Sequence, residues 1–302
     1  MKLITVKEIK MKKYFLFLTS ALVLCSIAAY AAPIKIAAAI PDLGSIASYI
    51  GGDKVEVFSI AKSNANPHFV EVLPSYMIKV SRAALYLKVG LALDQWSDEI
   101  IDGSRNDKLL VADCSIGISV LQKPTGKVDA SMGDVHPEGN PHYWLDPANG
   151  IIIADNVLAA LKKADPSNST YYDANYSKFK SETEKRLVGW KGKMEKYAGQ
   201  KIVSYHSSWV YFSNAFQLVI AANVEPLPGI PPTGKHLSEL VDLIKKNHIT
   251  LLLQEPYFPD QAPQFLSRLT GIRIFKFSPS CSGVKADEYF NHFDDMVDQI
   301  TK

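Results

Sequence analysis

Seven histidines punctuate the 302-residue chain, at positions 68, 136, 142, 206, 236, 248 and 292. Two of them follow a proline, Pro67-His68 in NANPHFVE and Pro141-His142 in GNPHYWLDP. Proline fixes its own φ and removes a donor, and Pro147 presses Asp146 toward extended geometry, so the second segment is stiff before any ligand arrives. A third histidine, His206, closes the run KIVSYHSSW. One histidine at a strand end commonly serves a structural hydrogen bond. Three where strand ends should converge, two of them behind prolines, point to metal ligation. Neutral imidazoles suit Zn²⁺, Cu²⁺ or Ni²⁺, and tetrahedral Zn²⁺ takes four ligands at about 2.0–2.2 Å. Carboxylate and water ligands would favour Mn²⁺.

The fourth ligand is open. Glu255 ends the apolar run TLLLQE, and a carboxylate there is costly to desolvate unless it is paired. A metal would be such a partner, and so would a salt bridge or loop hydrogen bonds. Asp146, followed by Pro147, reads as a helix start or as an acceptor behind a ligating histidine. His136, in GDVHPEGN, reads as an exposed loop residue, solvated or acting as an auxiliary ligand. His236, His248 and His292 fall on helices or their ends and read as surface residues.

The elements that must position these residues alternate in type. Strands are predicted at 34–40, 55–60, 84–89, 108–113, 200–205, 216–221, 249–255 and 272–277. Helices are predicted from about 41, over 71–82, over 148–164, from 170 to 197, and at about 208–215, 235–247, 259–270 and 285–301. Such alternation implies an α/β fold of two lobes, each a mostly parallel four-stranded sheet flanked by helices. The lobes span 33–166 and 199–302, and a long rigid linker helix within 167–198 joins them. Ligands of such sheets bind beyond the carboxyl ends of the strands.

Residues 1–32 stand apart. Five lysines precede the apolar run YFLFLTSALVLCSIAAYAA, which ends in small residues. That is the layout of a secretory signal peptide cut near Ala29-Tyr30-Ala31 or Ala32, and Met11 would itself make a signal start. Lipid attachment at Cys25 is disfavoured, because Leu24 sits where a small residue is wanted. The remainder carries 28 basic and 30 acidic residues, a net charge of −2, which gives no footprint for nucleic acid. In an exported protein Cys114 and Cys281 either bridge or stay apart.

The segments NPHFVEVLPSYMIKVSRAALYLKVGLALDQW, GNPHYWLDPANGIIIADNVLAAL, KIVSYHSSWVYFSNAF and GIPPTGKHLSELVDLIKKNHITLLLQEPYF carry a family likeness across the whole chain after the signal. The chain resembles the zinc/manganese solute-binding proteins of bacterial ABC transporters, the cluster A-I or cluster 9 group (ZnuA/TroA type). By that resemblance His68, His142 and His206 are metal ligands, and His rather than Glu at 206 looks like the zinc branch. Two departures stand out. Where such proteins place a carboxylate in a segment like LDPLG, this chain reads KFSPSCSG, with Ser278 at that position. Glu255, a water or another group such as Cys281 must then supply the fourth ligand. The long His-rich insert of many zinc members is reduced to DVHPEGN.

The resemblance implies an extracytoplasmic or periplasmic protein that captures Zn²⁺ between its lobes and delivers it to an ABC permease. It would act as a monomer, without catalysis and without nucleic acid. A manganese-selective member is the alternative. A secreted zinc hydrolase would need an open coordination position and a base, which Glu255 could supply. No His-Glu-x-x-His segment is present. A surface adhesin would need a sorting signal or a further interaction domain, and neither is visible. Because the ligating histidines must be neutral, metal affinity should fall as the pH drops through about 6.5.

Overall fold

The structure is a computed structural model that describes residues 32–126, 128, 129, 132, 133 and 135–302. The signal segment, with Met11 and Cys25, lies outside the described residues. Strands β1 (Ile34–Ala38), β2 (Val55–Ser59), β3 (Leu85–Lys88) and β4 (Leu110–Asp113) form one sheet in the order β2-β1-β3-β4. Strands β5 (Lys201–Ser204), β6 (Val219–Asn223), β7 (Leu251–Gln254) and β8 (Arg273–Lys276) form a second in the order β6-β5-β7-β8. Every pairing in both sheets is parallel. The inner strands read as near-continuous apolar runs, IKIAA and LLLQ, because helices cover both faces of a parallel sheet. The α/β reading and its eight strands therefore hold.

The helices are α1 (Pro41–Gly51), α2 (Pro74–Val80), α3 (Trp96–Ser104), α4 (Asn149–Ala164), α5 (Ser169–Met194), α6 (Val210–Ala215), α7 (Gly234–Asn247), α8 (Gln261–Thr270) and α9 (Glu288–Thr301). Helix α3 was not anticipated. Its nine residues, WSDEIIDGS, are too short for a clear periodicity, and a local turn leads into it. Buried Asp94 accepts the backbone N–H groups of Val89 and Gly90 just ahead of it, at 2.8 and 3.1 Å.

Helix α5 spans 26 residues, about 39 Å at ~1.5 Å per residue. Its buried residues, Tyr172, Phe179, Thr183, Trp190 and Met194, recur at steps of seven and four and so form one stripe. Much of that stripe is covered by α9, whose Phe290 stacks on Phe179 at 5.1 Å and meets Tyr49 of α1 edge-on at 5.7 Å. Trp190 Nε1 donates to Asp294 Oδ1 at 2.8 Å. The last helix therefore packs on α1 and α5, although sequence order groups it with the second lobe. Its aromatic face is complementary to Tyr49 and Phe179, a match that local periodicity does not encode.

That packing also corrects the reading of His292. Its Nε2 is buried without a hydrogen-bond partner, and burial pushes the imidazole down to about 4. His236 is half-buried, with Nε2 3.1 Å from Asn223 O, whereas His248 is exposed and ends α7 at φ 53°. Among the described residues no helix is long and apolar enough to cross a membrane.

Candidate metal centre

Every residue that the sequence nominated as a ligand lies beyond the carboxyl end of a strand, where a parallel sheet leaves its loops free to converge. His68 is in the loop after β2 and His142 in the long connection after β4. His206 follows β5 by two residues, and Glu255 follows β7 by one. The two Pro-His pairs prove to be Asn-Pro-His units with one local geometry. The backbone N–H of His68 donates to Asn66 Oδ1, and that of His142 to Asn140 Oδ1, both at 3.0 Å. An asparagine side chain that bonds its own backbone two residues on makes a tight turn, and the proline between fixes φ. Each turn is held from outside as well. Trp96 Nε1 donates to Pro67 O at 3.0 Å, and Asn140 Nδ2 donates to Ser207 O at 2.8 Å.

One ring nitrogen from each of His68, His142 and His206 lies within 4.8 Å of the others. The Nε2 atoms of His68 and His142 are 3.1 Å apart. Ring centroids are 5.1 Å apart for His68–His142, 5.3 Å for His68–His206 and 5.6 Å for His142–His206. Burial, and then the neighbouring imidazoles, push His68 and His142 well below the usual histidine range, so both present lone pairs at neutral pH. On the outer side each ring has a partner. His68 Nδ1 is 3.2 Å from His136 Nε2, His142 Nδ1 is 3.0 Å from Asn140 Oδ1, and His206 Nδ1 is 2.7 Å from Glu225 Oε2.

The remaining nominated residues divide. His136 is half-buried rather than exposed and stands behind His68, its imidazole pushed to about 4 by burial and then by His206. Asp146 accepts from Ala148 N–H at 2.8 Å at the entry to α4, and among the described residues it makes no hydrogen bond to a site histidine. Ser278 donates to Ser63 O, tying the loop after β8 to the loop after β2. Cys114 and Cys281 are buried and unbridged in this structure. Cys281 Sγ instead faces Gly283 O at 3.2 Å, and burial raises both thiols.

Glu255 is fully buried, with no hydrogen-bond partner for either carboxylate oxygen. Burial raises it to about 7 against the pull of His206. Glu225 was missed, although its signal matches that of Glu255. Both glutamates follow an apolar strand and precede a proline, in NVEPLP and LLQEPYF. Among the described residues neither carboxylate is paired with Lys or Arg. Three clustered imidazoles, with Glu225 behind His206 and Glu255 buried beside it, thus have no Lys or Arg to compensate the carboxyl groups among the described residues, which suits a divalent-metal site. A cavity of about 500 Å³ lined by His68, Phe69, Trp96 and His136 lies on the His68 side of the cluster.

A family model described as ZnuA, the periplasmic zinc-uptake complex component A, matches residues 36–302. The manganese ABC transporter substrate-binding lipoprotein PsaA of Streptococcus pneumoniae serotype 4 is 26% identical over 287 residues, covering 89% of this chain and 88% of PsaA. The metal ABC transporter substrate-binding lipoprotein SloC of Streptococcus mutans is 28% identical over 274 residues, with 85% and 86% covered. A crystal structure of ZnuA superposes with a TM-score of 0.77 at 25% identity, covering 89% of this chain and 98% of that one. FpvC of Pseudomonas aeruginosa, determined with Mn²⁺, reaches 0.75 at 20% identity over 89% and 97% of the two chains, which is a likeness of fold. With its two parallel sheets and its strand-end histidines, the chain belongs to the ZnuA family, metal-binding substrate-binding proteins of ABC transporters rather than enzymes.

Proposed function

We propose that the cargo is Zn²⁺, held by Nε2 of His68, His142 and His206 with Glu255 as the fourth ligand, and passed to a membrane permease. The observation that carries this reading is the set of three ring nitrogens within 4.8 Å, each ring held from its Nδ1 side. Three imidazoles and one carboxylate suit tetrahedral zinc. Glu255 is buried, unpartnered and without a compensating cation, which is the state of a ligand awaiting its ion. His68 and His142 come from the first sheet and His206 and Glu255 from the second, so one ion would tie the two together. The protein would work as a monomer outside the cytoplasm.

Manganese is the second reading, favoured by the name of PsaA and by the carboxylate of Glu255 among the proposed ligands. PsaA and SloC are also named lipoproteins, which brings Cys25 back as an alternative anchor to cleavage near Ala31. One experiment tests the cargo. Chelated protein is reloaded with equal Zn²⁺ and Mn²⁺ and analysed by elemental mass spectrometry beside His142→Ala. One zinc per chain, lost in the variant, is the expected result. A manganese preference moves the protein to the second reading, and no stoichiometric metal refutes both.

A further inference from the structure

Of the three outer partners, Glu225 is the one that carries a carboxylate. Its Oε2 lies 2.7 Å from His206 Nδ1 and also accepts the backbone N–H of Gly229 at 3.1 Å. Both side chains are buried, His206 at 4% exposure and Glu225 at 6%. The sheet fixes their approach. Parallel pairing of β5 with β6 sets Ser204 beside Asn223, and the ladder continues past both strand ends. Val224 N–H donates to Ser204 O at 2.8 Å, and Glu225 N–H to Tyr205 O at 3.0 Å. The carboxylate is therefore held by backbone on one side and by the Gly229 turn on the other.

A carboxylate oxygen at this distance from a ring nitrogen requires a hydrogen between them. An ionised carboxylate can only accept, so Nδ1 carries the hydrogen, which in the neutral ring leaves the Nε2 lone pair free on the opposite edge. We infer that Glu225 is a positioning residue for metal capture, locking His206 in the Nδ1–H tautomer and placing a negative charge directly behind the ligand. The inference rests on the metal-binding reading above and adds a residue to it. His142 has a neutral amide behind it and His68 an imidazole, so His206 becomes the most electron-rich of the three donors. An acceptor behind a ligating imidazole raises its basicity as well as orienting it.

The test uses the purified chain, wild type beside Glu225→Ala and Glu225→Gln. Ring ¹⁵N NMR of the metal-free proteins reads the His206 tautomer, and Zn²⁺ competition against a chromophoric chelator reads affinity. Wild type should show Nδ1–H at His206. Glu225→Ala should lose that preference and weaken zinc by about 10–100-fold. Glu225→Gln should keep the tautomer, because Gly229 N–H holds the amide oxygen in place, and should recover part of the affinity. An Nε2–H tautomer in the wild type overturns the inference, as does a Glu225→Ala protein with wild-type affinity. If Glu225→Ala does not fold, Glu225→Gln decides the matter. A mixed tautomer there, with affinity unchanged, is also an overturning result. Should the wild type bind no metal, the cargo reading fails while the tautomer measurement still decides the role of Glu225.

Discussion

Oδ1 of Asn140 lies 3.0 Å from the backbone nitrogen of His142 and 3.0 Å from its ring Nδ1. One acceptor thus contacts both the turn that carries His142 and its ring. Asn66 does only the first for His68, whose ring is held instead by His136. We expect Asn140→Ala to weaken zinc by about 10–100-fold, the usual cost of removing a partner behind a ligating histidine. Asn66→Ala should cost clearly less. Chelator competition on both variants measures the difference, and equal losses would refute the division of labour.

The pH dependence of binding reports on Glu255. Burial holds His68 and His142 well below 6.5, so protons compete with metal for these two rings only in more acid solution than the sequence suggested. Glu255, raised to about 7, is half protonated there in the metal-free protein and must lose its proton to ligate. Affinity should therefore begin to fall below about pH 7, by up to tenfold per unit for one competing proton. In Glu255→Gln the part of that early slope due to the carboxyl should vanish. A wild type flat from pH 7.5 to 6 would exclude Glu255 from the coordination sphere.

Metal removal should lower thermal stability. A ligand that binds only the folded state adds about 4 kcal/mol at a thousandfold excess over Kd. For a domain of this size that corresponds to a rise in Tm on the order of 10 °C. Scanning calorimetry of chelated and reloaded protein measures it, with His206→Ala as the control that should not respond.

Two buried free thiols predict a simple chemical result. Without reductant, Cys114 and Cys281 should both react with a thiol reagent after denaturation and react slowly in the native protein. A chain that gives no free thiol on denaturation would instead contain the bridge.

His292 should be an acid-sensitive point in the packing of α9. Its folded value is about 4 and its unfolded value about 6.5, so the unfolded chain binds the proton first as the pH falls. Stability is thus full above 6.5 and is lost on the way down to about 4, by roughly 3 kcal/mol from this group. Glu255 and Asp42, both raised to about 7, act in the opposite sense, costing stability as the pH rises toward 7. His292→Leu should remove only the first component. Urea unfolding at pH 7 and 4.5 should show the variant gaining on the wild type at the lower pH.

Local physics made much of this protein legible. Largely apolar or alternating segments of six or seven residues marked all eight strands, and strand–helix alternation pointed to parallel sheets. Parallel sheets then sent the functional loops to the carboxyl ends of the strands. Prolines beside His68 and His142 singled out two candidate ligands, because a fixed φ is written into the residue itself. Other features depended on partners distant in sequence. The α9 helix joins α1 and α5 because its aromatic face fits Tyr49 and Phe179, and the Nε2 of His292 is buried with it. His136 looked solvated until the fold set it behind His68. Glu225 had the strand-end glutamate-proline signature of Glu255, yet its role depends on the pairing of β5 with β6, which brings it to His206. A sequence specifies which side chains can donate, accept or ligate. Whether they meet is decided by sheet register and helix packing, since contacts between distant residues form only when the whole core closes around them.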